Sequence, residues 1–325
     1  GGLEENLHLL EDIKNIILLG CGTSYNSAVY SLPFFKKFCN FNTVQVFDGA
    51  EFELVDIPKI GETAFILVSQ SGETKDLHRC IELIEPTDST IIGVVNVPDS
   101  LIARESHCGT YLNAGREVAV ASTKAFSSQI IVLSLITIWF SQQHNTFPKL
   151  RAEYIKSLRQ VPTQIQETIE MCRENCKTIA KQLVNKKSMF ILGKNKSYPI
   201  AREGSLKIKE ITYIHAEGYS GSSLKHGPFG LLEPDFPVIL LAPKDETYAK
   251  MTNVYEEVLS RKAKVYFITD DQKCTYPNKI IYPSNKHFNY LLSVIPLQLL
   301  AYYIAIEKGF NPDFPRNLAK VVTVE

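Results

Sequence analysis

One predicted helix carries three side chains of the types that move protons. Glu203, Lys207 and Glu210 lie in a stretch from about Tyr198 to Ala216 that we expect to be helical. Spacings of four and three residues place all three on one face. The flanking apolar residues predict a largely buried helix, where carboxylates need a specific role; they are Ile200, Leu206, Ile208, Ile211 and Ile214. A partly desolvated glutamate beside a lysine can shuttle a proton. The alternative is a salt-bridged surface stripe.

A histidine follows this helix in a predicted loop, Leu224-Lys225-His226-Gly227-Pro228. Charged and turn-forming neighbours favour an accessible imidazole, the side chain most often used for proton transfer. His226 is therefore a second acid–base candidate, and an ordinary surface histidine is the alternative.

A hydroxyl-rich loop in the first half could hold a phosphate. Ser69-Gln70-Ser71-Gly72-Glu73-Thr74 joins an apolar strand to a helix. In open α/β sheets ligands bind beyond the carboxyl ends of strands, and a helix start offers free N–H groups to an anion. Gly72 allows a tight turn. The alternative is ordinary helix capping by Ser71 or Thr74.

Two further segments could complete such a site. Gly20-Cys21-Gly22-Thr23-Ser24 is a second glycine-rich loop, and Ser24 would join the phosphate site. The loop departs from GxGxxG, but Asp48 could contact a ribose, so a dinucleotide site remains a weak alternative. Val120-Ala121-Ser122-Thr123-Lys124 opens an apolar helix that extends to Phe140. Ser122 or Thr123 would either cap this helix or contact a polyol.

The surrounding pattern predicts the elements that position these residues. Apolar β-rich runs alternate with helices in both halves, which indicates parallel sheets covered on both faces. The predicted strands are Ile16–Leu19, Thr43–Phe47, Ala64–Ser69 and Thr90–Asn96, then Met189–Leu192, Val238–Leu241, Val265–Ile268 and Lys279–Tyr282. A polar helical stretch, about Lys149 to Lys187 with Pro162 inside it, separates the halves.

The halves match at one offset of 173 residues. Leu19-Gly20-x-x-x-Ser24 matches Leu192-Gly193-x-x-x-Ser197, and the strands beginning at Phe65 and Thr90 also align with later ones. Three matches at one offset predict an internal duplication. The second copy has Ala242, Lys244 and Asp245 in place of Ser69, Ser71 and Gly72. Because the hydroxyls occur in one copy only, we expect the phosphate site in the first.

Composition excludes several classes of function. The 35 basic and 35 acidic residues balance, which argues against general binding of nucleic acid or of an acidic membrane. The seven cysteines are scattered with no CxxC pair, so we expect reduced thiols in a cytoplasm. The most apolar run, 130–140, is about half the roughly 20 residues that span a bilayer, and predicts a buried helix. We find no signal peptide, and the start at Gly1-Gly2 without Met suggests a fragment.

Together these segments resemble the C-terminal isomerase half of the glucosamine-6-phosphate synthases (glutamine–fructose-6-phosphate aminotransferases). The matching segments are 21–25, 69–74, 120–126, 206–215, 224–228 and 315–320. The sequences of residues 208–213 and 313–315 resemble the eukaryotic branch of that family. The resemblance implies an α/β fold of two tandem SIS (sugar isomerase) domains, each a mainly parallel sheet between helical layers, plus a tail. The expected bounds are 1–148 for the first domain, 149–187 for a connector, 188–310 for the second domain and 311–325 for a catalytic tail.

The resemblance also implies roles. Ser69, Gln70, Ser71 and Thr74, with Ser24 nearby, would hold the phosphate of fructose-6-phosphate; Thr23, Val120 and Ser122 would contact the sugar. His226 would open the ring from the partner subunit of a homodimer. Glu210 would move the proton between C1 and C2, and Lys207 would support ring opening. Lys320 would lie at the carbonyl, with a Schiff base as one option. No metal or organic cofactor is expected, and a nucleotide-sugar inhibitor is an expectation from eukaryotic relatives.

Three departures from the family pattern matter. Ser222-Ser223 stand where the family usually has Gly-Glu, which removes a carboxylate near His226. Val321 replaces a usual serine, and the sequence has no counterpart of the glutaminase domain that releases ammonia. A sugar-phosphate-binding regulator without turnover is therefore the alternative to an enzyme.

Overall fold

A computed structural model describes residues 2–320, and Val321 lies outside the described residues. The chain forms two compact units. Residues 2–118, 122–152 and 319–320 belong to the first unit, and residues 119–121 and 153–318 belong to the second. The sequence-based domain bounds, after residues 148, 187 and 310, differ from this grouping, and they stay a prediction.

The first unit is an α/β/α sandwich. Its elements are a 3-10 turn at Glu4–Leu9, β1 Asn15–Gly20, α1 Thr23–Phe38, β2 Thr43–Asp48, β3 Thr63–Ser69, α2 Lys75–Ile84, β4 Thr90–Val95, α3 Leu101–Glu105, β5 Cys108–Tyr111 and α4 Lys124–Gln143. The strands pair in parallel in the order β2-β1-β3-β4-β5. This doubly wound order brings the carboxyl ends of β1 and β3 together at one sheet edge.

Alternation along the central strands explains why both faces of this sheet are covered. Ile16 and Leu18 join a core cluster with side chains of α1 and α4. Ile17 and Leu19 point the other way, into a cluster with side chains of α2 and α3. All six residues of β1 are buried, as expected for a strand in the middle of a parallel sheet.

The second unit repeats this plan. Its elements are the greater part of α5 Pro148–Leu183, then β6 Ser188–Gly193, α6 Ser197–Thr212, β7 His215–Ser220, 3-10 turns at Leu224–His226 and Pro228–Leu231, β8 Pro237–Leu241, α7 Tyr248–Leu259, β9 Lys264–Thr269, β10 Lys279–Ile281, α8 Asn289–Leu292 and α9 Val294–Glu307. The parallel order β7-β6-β8-β9-β10 is that of the first sheet. β6 begins 173 residues after β1, so the predicted α/β fold and duplication are confirmed.

Two sequence-based expectations about elements were wrong. Each described sheet has five strands rather than four, because β5 and β7 are partly exposed edge strands and were not recognised. The helix predicted to reach Ala216 ends at Thr212, where Tyr213 adopts a left-handed conformation and the chain turns into β7. The predicted polar helical stretch is one long helix, α5, with Pro162 inside it, and its role as a connector stays a prediction.

Two helical stretches are long and apolar enough to cross a membrane by length and composition alone, 124–143 and 289–307. About two-thirds or more of each is buried inside the protein. Burial of this kind is typical of core helices in α/β folds, and the run 130–140 lies in α4 as the predicted buried helix.

Candidate functional site

Hydrogen bonds of its own serine side chains fix the shape of the hydroxyl-rich loop after β3. Ser69 Oγ accepts the Gly72 amide at 3.0 Å and lies 3.1 Å from Thr74 Oγ1. Ser71 Oγ accepts the Glu73 amide at 3.1 Å. Ser69 and Ser71 are buried, while Gln70 and Thr74 are half-buried at the start of α2. Four of the five predicted phosphate ligands therefore lie on one short loop at the carboxyl edge of the first sheet.

Gly72 fixes the shape of this loop. Its φ is +70°, a conformation that L side chains rarely adopt, and a Cβ there would lie 1.9 Å from Ser100 Oγ. Ser100 is buried, and its hydroxyl has no hydrogen-bond partner among residues 2–320. The Gly72 carbonyl also accepts the Ile102 amide at 3.0 Å, which ties the loop to α3.

Ser24 lies at the same edge, after β1. It is buried in the first turn of α1, next to Thr23, the first residue of that helix. Gln129 Nε2 of α4 donates to Ser24 Oγ at 2.8 Å. Because this amide uses the acceptor side of the hydroxyl, the serine proton is directed elsewhere, as phosphate binding would need. Gln129 was missed because nothing marks it among the apolar residues of its helix.

Asp48, the residue behind the dinucleotide alternative, ends β2. Its Oδ1 accepts the Ala50 amide at 3.3 Å within the turn that follows. This contact gives the carboxylate a role in the turn.

The start of α4 is capped by a residue that the sequence did not reveal. Thr123 occupies the N-cap position but makes no capping bond with its side chain. Glu117 instead accepts the amides of Thr123 at 2.9 Å and Ala125 at 3.3 Å through Oε1. Thr123 therefore stands at the predicted N-cap position, but the capping hydrogen bonds go to Glu117.

Glu117 also meets the C-terminal tail. Its Oε2 lies 2.8 Å from Lys320 Nζ, which is 3.4 Å from Ser122 Oγ. The Glu117 side chain is 4% exposed and that of Lys320 22% exposed. Two predicted site residues, Lys320 and Ser122, are thus brought together in the first unit by a buried carboxylate.

The second unit holds the acid–base residues on α6. Lys207 Nζ lies 2.6 Å from Glu210 Oε2 and 3.5 Å from Glu203 Oε1. Glu203 is completely buried, Lys207 nearly so, and the Glu210 side chain is 18% exposed. The alternative of a surface stripe is excluded for the inner two residues, and only Glu210 reaches towards solvent.

Burial and charge act in opposite directions on Lys207. Burial opposes its charge, but the Glu203 and Glu210 carboxylates outweigh that effect and raise the pKa of Lys207 above its ordinary value. The helix therefore presents a lysine that stays charged, between the buried Glu203 carboxylate and the partly exposed Glu210 carboxylate.

The remaining predicted residues lie on loops of the second unit. His226 is exposed at the end of a 3-10 turn, and its amide donates to the Ser223 carbonyl at 3.0 Å. Val120 is half-buried, and its amide donates to the carbonyl of Asp313 in the tail at 3.3 Å.

The copy of the phosphate loop in the second unit is occupied by the protein's own carboxylates. Asp245, at the position of Gly72, accepts the Thr247 amide at 2.7 Å and also contacts the Tyr290 hydroxyl. Asp270 accepts the Lys244 amide at 2.6 Å, and Asp271 pairs with the Lys244 ammonium at 2.9 Å. Three carboxylates at this loop would repel a phosphate.

Fold and sequence comparisons define the class. The SIS domain model matches residues 9–139 and 182–308, once in each sheet unit. The chain belongs to the SIS-domain family. Within it, the chain is similar over its whole length to the isomerase half of the glutamine–fructose-6-phosphate aminotransferases.

That narrower similarity rests on named relatives. A protein of Acanthamoeba polyphaga mimivirus named probable glutamine–fructose-6-phosphate aminotransferase (isomerizing) is 46% identical over 317 residues, 96% of this chain and 52% of the viral protein. The human isoform 2 of that aminotransferase is 36% identical over 330 residues, 100% of this chain and 48% of the human protein. The chain thus spans about half the length of these relatives. A bacterial relative from Chlorobaculum tepidum is 38% identical, so the eukaryotic branch stays a prediction.

Solved structures show the same two-unit fold. The C-terminal domain of glucosamine-fructose-6-phosphate aminotransferase from Francisella tularensis superposes with a TM-score of 0.89 at 31% identity, covering 96% of this chain and 89% of that one. The glucosamine-6-phosphate deaminase of Thermotoga maritima shares the fold, with a TM-score of 0.78 at 22% identity over 97% of this chain and 92% of that one.

Proposed function

We propose that the chain binds fructose-6-phosphate, opens its ring and isomerises the fructosimine to glucosamine-6-phosphate. Its relatives' names and the two SIS units support a sugar-phosphate isomerase. The ammonia would come from a glutaminase domain, and the pathway would be amino-sugar biosynthesis towards UDP-N-acetylglucosamine.

The first unit would bind the phosphate. Ser69, Gln70, Ser71 and Thr74 offer hydroxyl, amide and backbone donors at the start of α2, and Ser24 adds a hydroxyl directed by Gln129. Neutral donors and a helix start can hold a dianion without a basic patch, which suits a chain of zero net charge. Thr23, Val120 and Ser122 would contact the sugar.

The second unit would supply the proton chemistry. The Glu210 carboxylate takes the C1 proton of the fructosimine. The electron pair of that C–H bond forms the C1–C2 double bond of an enolamine, while the C2=N π pair moves to the nitrogen, which takes up a proton. Glu210 then returns its proton to C2 through the C1–C2 π pair, and the C1 hydroxyl releases its proton as the C1=O bond forms. The C1 aldehyde and the C2 amine result, and the proton gained by the nitrogen balances the one lost by the hydroxyl. Charged Lys207 stabilises the oxygen that gains negative charge, and Lys320 lies at the carbonyl.

The buried trio on α6 is the observation that carries this proposal. Burying Glu203 and Lys207 costs desolvation free energy, and apolar side chains of similar volume would fill the same space without that cost. A module that only binds sugar phosphate would need no charged lysine between two carboxylates, one of which reaches towards solvent. Such an arrangement is what a general base with a neighbouring electrostatic group requires.

The proposed assembly follows the family. The chain would form a homodimer in which the partner subunit's His226 opens the sugar ring. A nucleotide sugar would inhibit, the protein would work in the cytoplasm, and neither nucleic acid nor a membrane would be a partner. No metal or organic cofactor is required, because the C1 proton next to a carbonyl or imine is already acidic.

The testing experiment is interconversion of fructose-6-phosphate and glucose-6-phosphate, which needs the same proton transfer but no ammonia. We expect turnover by the wild type and a loss of about 10²–10⁴-fold in Glu210→Gln, the typical worth of a general base. Binding of glucitol-6-phosphate, which cannot isomerise, should change little. Glu256→Gln, the same change at an exposed position of α7, is the matched control.

A regulator that binds sugar phosphate without turnover is the second candidate. The observation that favours it is Ser223, whose backbone carbonyl accepts the His226 amide and which stands where the family usually has a glutamate. Tight binding of fructose-6-phosphate by a wild type that shows no interconversion would establish the regulator and reject the enzyme.

A further inference from the structure

Glu117 makes two kinds of contact with its two oxygens. Oε1 accepts the first free amides of α4, from Thr123 and Ala125. Oε2 holds the ammonium group of Lys320, which lies 203 residues away in sequence. The same side chain thus fixes a helix start and receives the tail.

The surroundings of Glu117 favour its ionised form. Burial by itself would raise the pKa of Glu117, but the Lys320 ammonium and the Thr123 amide outweigh burial and hold that pKa below its usual range. The positive end of the α4 dipole acts in the same direction. The buried Glu117 carboxylate therefore carries a negative charge that can pair with a cation.

Capping alone does not account for this arrangement. A helix start leaves four amides without an intrahelical partner, and a serine or threonine at the N-cap commonly supplies an acceptor for one of them. Here Thr123 stands at the N-cap and its hydroxyl is not used, while a glutamate six residues earlier caps the helix. The second oxygen then places Lys320 Nζ within 3.4 Å of Ser122 Oγ, a predicted sugar contact.

We propose that Glu117 is a positioning residue that docks the C-terminal tail and aims the Lys320 amine at the sugar carbonyl. This inference rests on the proposed function, because it gives Glu117 its effect through Lys320. Lysine has four rotatable side-chain bonds, and holding its amine in one place removes most of that freedom before substrate arrives.

A double-mutant cycle tests the inference in the full chain. The variants are Glu117→Gln, Lys320→Met and the double variant, with Glu51→Gln, an exposed residue of the same unit, as control. We expect Glu117→Gln to lower kcat of the sugar-phosphate interconversion about tenfold or more with KM nearly unchanged, because the phosphate loop is untouched. In the Lys320→Met background the same change should add less than about twofold.

Two outcomes overturn the positioning role. If Glu117→Gln costs the same factor with and without Lys320, Glu117 acts only as a helix cap. If Glu117→Gln leaves kcat unchanged, the docking has no role in turnover. Absence of turnover in the wild type would reject the proposed function itself, and with it the catalytic consequence of docking.

A second readout needs no activity. Acylation of lysine amines in the folded chain, followed by peptide mass spectrometry, compares Lys320 with exposed Lys209 as internal reference. An amine in an ion pair reacts slowly, so Glu117→Gln should acylate Lys320 several-fold faster and Lys209 at the wild-type rate. Equal Lys320 rates in both proteins would overturn the docking contact whatever the assay of turnover shows.

Discussion

Replacing Gly72 with alanine tests whether Ser100 constrains the shape of the phosphate loop. The new Cβ would lie 1.9 Å from Ser100 Oγ and 2.5 Å from Ser100 Cβ, far inside van der Waals contact. Two hydrogen bonds tie the loop to the start of α3, from the Ile102 amide to the Gly72 carbonyl and from the Leu101 amide to Glu73. Neither segment can therefore move away alone.

The expected cost has two parts. An L residue in the left-handed region costs about 1–2 kcal/mol, and the stiffer unfolded chain returns about 0.4–1 kcal/mol of that. Overpacking against Ser100 adds about 1–3 kcal/mol. We therefore expect Gly72→Ala to lower the free energy of unfolding by about 2–4 kcal/mol and to weaken fructose-6-phosphate binding at least tenfold.

The chain offers a matched control and a local probe. Gly115 has a φ of +66°, and a Cβ there meets nothing within 4 Å, so Gly115→Ala should cost only about 1 kcal/mol. Trp139, the single tryptophan, lies in α4 of the first unit. Its fluorescence in a urea titration follows the unfolding of that unit.

Removing the Ser100 side chain tests the predicted clash a second time. Ser100→Gly removes both clashing atoms, so Gly72→Ala should cost about as little in that background as Gly115→Ala does in the wild type. Equal costs for Gly72→Ala and Gly115→Ala in the wild type would show that Ser100 does not constrain the loop.

Three further predictions concern binding, stability and pH. Ser71→Ala should weaken fructose-6-phosphate binding about tenfold, as expected for a lost hydrogen bond to a charged group, and calorimetry should show no change for free fructose; equal losses would place the phosphate elsewhere. Lys207→Met should lower the free energy of unfolding by about 3–5 kcal/mol in urea, because the Glu203 carboxylate loses its buried counter-ion; a cost below about 1 kcal/mol would contradict the ion trio. The depressed pKa of Glu117 means that its contribution is present above the ordinary glutamate range, near pH 4.3, and is lost as pH falls below it. The stability difference between wild type and Glu117→Gln, read from Trp139 fluorescence, should be constant from about pH 8 to 5 and shrink below about pH 4.

Most of the fold could be predicted from the sequence, because buried elements have regular hydrophobic patterns. β1, β3, β4 and their later copies are continuous apolar runs, and their repetition at 173 residues revealed the duplication. β5 and β7 were missed because they are partly exposed edge strands. β7 has only one fully buried residue, Ala216, so its pattern carries little signal.

The candidate site was predictable where chemistry is local in sequence. Ser69 to Thr74 lie on one loop, and Lys207 and Glu210 lie one turn apart, so spacing alone brings them together. Glu117 and Gln129 could not be found in this way. Each acts on a residue more than 100 positions away, and single charged or amide side chains in a loop or helix carry no periodic signal.

Hydrogen exchange at C1 of fructose-6-phosphate in D₂O tests the central claim most directly, because Glu210 is assigned to remove that proton. Proton nuclear magnetic resonance follows loss of the C1 signal with wild type, Glu210→Gln and the Glu256→Gln control. The account predicts exchange by the wild type and the control, and a loss of at least about 10²-fold in Glu210→Gln. Exchange at the wild-type rate in Glu210→Gln, or none in the wild type, would contradict it.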